Sequence, residues 1–310
     1  MITKANKVAI KTVFSIKDLE NLSGVKAHTI RIWEKRYALF SPERSETNIR
    51  IYNLDGLKKL LNVTHLYNEG HKISKIATLG QDEIITLTKE SSTSSQNTYL
   101  INKFKTAMFS FDFDLFHKTY KEMEEQLNFN HSFENLIIPL LAEIGMLWLS
   151  GTVDPSHERF ISELIRQKLS IETDKAQQQF VLKNDKIVAL YLPYNEIHEI
   201  GLVYAQYLVV QAGFKTVYLG SNIPLESLTH VKKHHENLIY MTYLTTEPST
   251  ISIHQYLQDF NDIVCTDTSY DLWCLGTKAN EIDPKKVSGN IKSITKIQEF
   301  NKQLKRLANA

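Results

Sequence analysis

The apolar positions of this chain recur in three different rhythms, and each change of rhythm marks a boundary. In the first rhythm, short bursts fall at helical spacing. Ile16, Leu19 and Leu22 form one stripe, opened by Ser15 as N-cap with Asp18 three residues on and closed by Ser23-Gly24. Phe14 and Leu19 stand where a hydrophobic staple would pack. A second stripe, Ile30, Trp33 and Tyr37, predicts a helix over 27–37 and leaves Arg31, Lys35 and Arg36 facing outward. Two short helices joined by a glycine-bearing turn make a helix-turn-helix. In "LFSPERSETNIRIYN" the pattern switches to alternation, Ile49 and Ile51 with Arg50 and Tyr52, which predicts a hairpin or wing with basic side chains. Helices over 54–68 and 73–79 complete this module.

The run "KESSTSSQNT" has no periodicity, so 81–98 reads as a flexible linker. From 99 to about 178 the spacing is helical throughout, in four segments with short joins, the last opened by Asp154-Pro155. From about 184 strands alternate with amphipathic helices: "KIVALYLP", "KTVYLG", "NLIYMTYLTT", "YDLWCLG" and a weaker strand near 287–294. That alternation predicts a parallel sheet covered on both faces. The expected fold is therefore multidomain, α and α/β. It comprises a winged helix-turn-helix at 1–80, a linker at 81–98, a four-helix bundle at 99–180 and a doubly wound sheet at 181–310.

Charge sharpens the division. Residues 1–75 carry 14 Lys/Arg against 7 Asp/Glu, whereas the remainder carries 22 against 28, so a basic head precedes an acidic body and invites a polyanion. Two cysteines, Cys265 and Cys274, provide neither a disulfide framework nor a metal spacing. The start lacks the apolar core and cleavage site of a signal peptide, and no run approaches the roughly 18 uncharged apolar residues of a membrane span, so a cytoplasmic setting is expected.

The candidate chemistry lies in "NEIHEIG", residues 195–201, where the first strand of the sheet turns into its helix. Ligands of doubly wound sheets bind at this edge. A metal-ligating histidine needs an acceptor on its other ring nitrogen, and Glu196 stands two residues before His198. Gly201 would let a planar ligand approach the backbone. No companion ligands are evident, so the pattern suits one histidine offered to a metal that arrives inside a large cofactor. A capping or solvated His198 is the plainer alternative.

Glu196-Ile-His198-Glu-Ile-Gly201 after a first strand resembles the D/E-x-H-x-x-G motif of cobalamin-binding domains, which are flavodoxin-like. The resemblance implies that His198 supplies the lower axial cobalt ligand. It also implies that Thr242 and Leu244 of "TYL", with Gly276, line a tunnel for the nucleotide tail; Thr277 replaces the second glycine found there. Trp148 and Glu158 are spaced like the pair that caps the cofactor's upper face in cobalamin-dependent regulators, which makes the helical bundle a cap. Arg159 replaces the histidine that follows that glutamate, and Leu149 stands where light-sensing members carry a histidine. Without the resemblance, Trp148 reads as core and Glu158 as a complement to the helix dipole.

The head, in "TIRIWEKRYALFSPERSETNIRIY", resembles MerR-family winged-helix regulators, with Ala38 in place of a glycine and Asn48-Ile49 in place of Gly-Tyr. The resemblance puts Thr29, Arg31, Lys35 and Arg36 on the recognition helix, and Arg44, Arg50 and Tyr52 on a wing that meets phosphate. Together the modules imply a regulator, not an enzyme. It would bind double-stranded operator DNA as a dimer or tetramer under the control of adenosylcobalamin, similar to light-responsive repressors of carotenoid synthesis. Two other readings stand beside it: the same regulator without cobalamin, and a corrinoid carrier for a methyltransferase.

Overall fold

The computed structural model describes residues 13–89, 93–246, 248 and 251–309. It divides into two compact units, and the division falls inside one long helix, between Glu163 and Leu164.

In the first unit, α1 (Ile16–Ser23) opens on a reciprocal cap. The Ser15 hydroxyl accepts from the Asp18 amide and the Asp18 carboxylate accepts from the Ser15 amide, at 3.2 and 2.8 Å. Helix α2 (Ala27–Tyr37) buries Ile30 and Trp33 and stops at Ala38, whose φ of 51° is left-handed. A Cβ in that region costs about 1–2 kcal/mol, partly offset by the smaller backbone entropy that alanine loses on folding. Ala38→Gly is therefore expected to stabilise this unit by about 1 kcal/mol, seen as a higher unfolding midpoint; an unchanged or lower midpoint would contradict it. The wing follows as antiparallel β1 (Glu43–Arg44) and β2 (Arg50–Ile51), and α3 (Leu54–Asn68) and α4 (Ile73–Ile76) complete the module.

The stretch read as a flexible linker is largely helical. Helix α5 (Gln81–Lys89) and the beginning of α6 (Thr93–Ser110) occupy it, while residues 90–92 lie outside the described ones. The polar composition describes an outer face only: Ile84 and Thr88, one turn apart, are both buried. Helix α3 packs on α6, and the Phe14 ring meets Phe109 edge-on at 5.1 Å. The amide of Asn21 donates to Thr152 Oγ1 at 2.9 Å. Lys105, buried on α6, donates to the Leu22 carbonyl at 3.3 Å and pairs with Glu143 at 2.7 Å. Head and bundle thus share one core.

Four rods follow in chain order, as expected: α6, α7 (Phe113–Gln126), a continuous rod at 129–149, and α10 (Pro155–Gln178), whose residues up to Glu163 belong to the first unit. The third rod joins α8 (Phe129–Ser132), a wider turn at Phe133–Ile137 and α9 (Ile138–Leu149). By length and hydropathy alone this rod could cross a bilayer. Glu134 and Glu143 interrupt it, however, and Leu136, Ile137, Leu140, Ile144 and Leu147 are buried, as in a core helix.

The second unit holds five parallel strands in the order β4-β3-β5-β6-β7: β3 (Ile187–Tyr191), β4 (Lys215–Gly220), β5 (Leu238–Tyr243), β6 (Asp271–Leu275) and β7 (Ile291–Ile294). Helices α11 (Glu199–Gln211), α12 (Leu225–Lys232), α13 (Ile253–Val264) and α14 (Ile297–Ala308) lie between and after them. Because the first strand sits inside the sheet, the connections turn opposite ways on either side of it. That puts a switch-point crevice between the carboxyl ends of β3 and β5.

Candidate functional site

The loop from β3 into α11 lies on that crevice. Asn195 turns the chain with φ 69°, and its amide donates to Asn222 Oδ1 at 3.0 Å. The turn sends Glu196 inward, 1% exposed, and leaves His198 at the N-cap of α11 with 52% of its side chain exposed.

Glu196 reaches both sides of the crevice. Its Oε1 accepts from the His198 amide at 3.0 Å and lies 2.5 Å from His198 Nδ1. Its Oε2 accepts from the amides of Thr245 and Thr246 at 2.9 Å and from the Thr246 hydroxyl at 3.0 Å, all just past β5. Burial alone would raise this carboxyl, but the hydrogen bonds from His198 and from the Thr246, His198 and Thr245 amides overcome it and hold it at about 2. An ionised carboxylate only accepts, so the proton between the groups belongs to Nδ1. When the ring is neutral, this tautomer leaves Nε2 unprotonated, the form that binds a metal. Thr245 and Thr246 escaped the sequence reading; their signal was the Thr-Thr pair directly after a strand.

Gly201, one turn into α11, has a planar group against it, and that group is the chain's own. A Cβ there would lie 2.5–2.7 Å from three ring carbons of Tyr243. Tyr243 ends β5 near Glu196: burial first and then that carboxylate's charge raise its phenol. Thr242 and Leu244, its neighbours in sequence, are fully buried, and among the described residues the Thr242 hydroxyl has no hydrogen-bond partner. Gly276 is needed by the backbone itself: φ is 94°, and a Cβ would lie 2.5 Å from the Leu244 carbonyl oxygen. Thus β3, β5 and the turn after β6 bring His198, Glu196, Gly201, Thr242, Leu244 and Gly276 to one end of the sheet.

The donor set fits a cobalt carried in a macrocycle. One carboxylate-held imidazole is present, and among the described residues no group of three or more His, Cys, Asp or Glu could hold a bare ion. The orphaned Thr242 hydroxyl also fits a ligand tail, but the seat beside Gly201 is filled by Tyr243.

In the first unit, Trp148 is not core. It is 53% exposed, with Leu149 and Met146 exposed beside it at the end of α9. Glu158 is half-buried in the first turn of α10 and accepts from the Ser162 hydroxyl at 2.7 Å, and Arg159 reaches Glu163 at 3.9 Å.

On the head, Arg31, Lys35 and Arg36 are exposed along α2, and Thr29 is half-buried. Arg44 is exposed and donates to Asn48 Oδ1 at 2.8 Å, which braces the wing tip. The other two wing residues differ from expectation. Tyr52 is buried, with its hydroxyl donating to Glu34 at 3.0 Å, and Arg50 Nε binds the same carboxylate at 3.0 and 3.2 Å. Glu34 on α2 therefore turns Tyr52 into the protein and ties Arg50 to the recognition helix. Spacing could not reveal an acceptor sixteen residues away.

Comparison with known proteins agrees with this anatomy. Residues 14–83 match the family described as MerR HTH family regulatory protein, and residues 100–171 match the B12 binding domain. The chain is 26% identical over 222 residues to the HTH-type transcriptional repressor CarH of Myxococcus xanthus, covering 69% of this chain and 73% of that protein. With the HTH-type transcriptional repressor CarA of the same organism it shares 24% over 214 residues, 69% and 70% of the two chains. The solved monomethylamine corrinoid protein of Methanosarcina barkeri overlays 68% of this chain and 99% of its own with a TM-score of 0.54 at 11% identity, a likeness of fold. The chain is homologous to the two repressors and joins a MerR-type DNA-binding head to a B12-binding module.

Proposed function

We propose that this chain is a transcriptional regulator whose assembly and grip on operator DNA respond to cobalamin, with His198 as the lower cobalt ligand. The observation that carries the reading is the His198 imidazole, exposed at the switch point and fixed through Nδ1 by a buried, ionised Glu196. Adenosylcobalamin, when bound, would supply a cobalt–carbon bond that light can break. By the family resemblance, Trp148 and Glu158 would also contact the cofactor. Arg31, Lys35 and Arg36 would meet the duplex, with Arg44 on phosphate, while Arg50 and Tyr52 hold the wing through Glu34. Binding can shift DNA affinity only by as much as it discriminates between assembly states, so dimers or tetramers must differ from the monomer in their hold on the cofactor.

The test is the visible spectrum of the full chain with adenosylcobalamin in the dark, followed by duplex retention in gels with and without cofactor. A base-off spectrum with histidine bound, lost in His198→Ala, is expected, together with DNA retention that changes with cofactor. A spectrum identical in the two proteins would overturn the ligand assignment. The second reading, a regulator of this shape without cobalamin, is favoured by the Tyr243 ring against Gly201.

A further inference from the structure

Helix α2 turns a face to solvent that is nearly all basic. His28, Arg31, Lys35 and Arg36 are exposed on it, while Glu34, the one carboxylate of the helix, is engaged by Arg50 and Tyr52. One residue of the face is of another kind. Ile32 is 50% exposed, and helical spacing sets it beside His28 and Thr29 on the preceding turn and Lys35 and Arg36 on the next. Ile30 and Trp33 bury the other side of the helix, so Ile32 stands near the middle of the outward face. Arg36 leans aside, its guanidinium 5.4 Å from the centre of the Tyr37 ring.

A single exposed apolar side chain is ordinary on a protein surface. The helix that carries this one makes it informative. Residues 14–83 match the MerR regulators, and the second helix of a helix-turn-helix lies in the major groove. An isoleucine there has nothing to offer a phosphate, which takes cations, hydroxyls and amides. Among the edges that base pairs show in that groove, the thymine methyl is the apolar one.

We propose that Ile32 is a specificity-determining residue that packs on the C5-methyl of a thymine in the operator, while the cations around it hold the DNA backbone. The inference rests on the operator-binding reading above and adds to it the base that is read and the side chain that reads it. Burying one methyl group is worth about fourfold in affinity, or about 0.8 kcal/mol. The contact therefore discriminates among sequences and leaves the salt-dependent grip on phosphate to the arginines and lysines.

The test begins with the duplex that the full chain prefers out of a randomised pool, in whichever cofactor state retains DNA best. Each thymidine of that duplex is exchanged in turn for deoxyuridine, which pairs as thymidine does and lacks the methyl. Retention is measured for the unsubstituted chain, for Ile32→Ala, for Ile32→Ser as a polar second variant, and for Ile32→Val, which keeps a branched apolar surface. Thermal unfolding reports whether each is folded. At one thymine of a half-site the exchange is expected to weaken the unsubstituted chain about fourfold and Ile32→Val by most of that factor. The alanine and serine variants should ignore the same exchange, and all four proteins should keep one slope of retention against salt. An exchange that weakens all four alike would show that the methyl is read by another group or through duplex shape, and overturns the proposal. So does a preferred duplex without a fixed thymine in its half-sites, or one in which no exchange costs the unsubstituted chain anything. If the pool yields no preferred duplex at all, the operator-binding reading falls and the role of Ile32 falls with it.

Discussion

Glu143→Ala is expected to destabilise the first unit by about 3 kcal/mol, while Lys105→Met, at the other end of the same ion pair, costs under about 1 kcal/mol. The asymmetry comes from burial. The Lys105 side chain is 4% exposed and that of Glu143 is 36%. Removing the carboxylate strands an ammonium in the core with, among the described residues, only the Leu22 carbonyl as acceptor. Removing the ammonium leaves a carboxylate that water already reaches, and methionine fills much of the vacated volume. Breaking a buried pair costs about 3–5 kcal/mol, and the solvent-facing side of Glu143 puts this case at the lower end. Urea midpoints of the two variants decide the matter; equal losses would sink the account. Because Lys105 joins α1 of the head to α6 and α9 of the bundle, Glu143→Ala should also uncouple the melting of the two modules.

The second large effect belongs to Glu196. Its folded-state value of about 2 lies below the ordinary 4.5, so ionised Glu196 favours the folded chain. That contribution is complete above about pH 4.5 and disappears as the pH falls toward 2. The displacement corresponds to something on the order of 3 kcal/mol. Glu196→Gln should therefore weaken the second unit at neutral pH by a similar amount and flatten its acid limb, measured as unfolding midpoint against pH. An acid limb that keeps its slope in the variant would show that other carboxylates carry it. The same substitution leaves one amide oxygen where two carboxylate oxygens now accept, so either His198 Nδ1 or the Thr245 and Thr246 amides lose their acceptor; a lost partner of a ligating histidine typically costs 10–100-fold in metal affinity.

Much of this was legible because periodicity reports burial. The capped α1, the stripe of α2, the four rods and the five strands follow from spacing, and the parallel sheet from unbroken alternation of strand and helix. The Glu196–His198 pair was legible for a local reason: two residues apart in a tight turn lie within reach of each other. Other features depended on partners distant in sequence. Glu34 determines what Arg50 and Tyr52 do, and Thr245 and Thr246 join His198 in holding Glu196 ionised. The polar stretch 81–98 misled because composition averages over a helix, whereas folding uses one face, here Ile84 and Thr88. Tyr243 was passed over because it holds the variable place in its tripeptide, where spacing assigns no role.

Gly276 carries a warning about reading ancestry from motifs. Its left-handed backbone presses on the Leu244 carbonyl, and any side chain there would break the sheet edge whether or not a ligand ever arrives. A descendant that abandoned its vitamin would retain this glycine for architectural reasons alone. Searches that score position 276 as a mark of binding would then count such silent relatives among the binders.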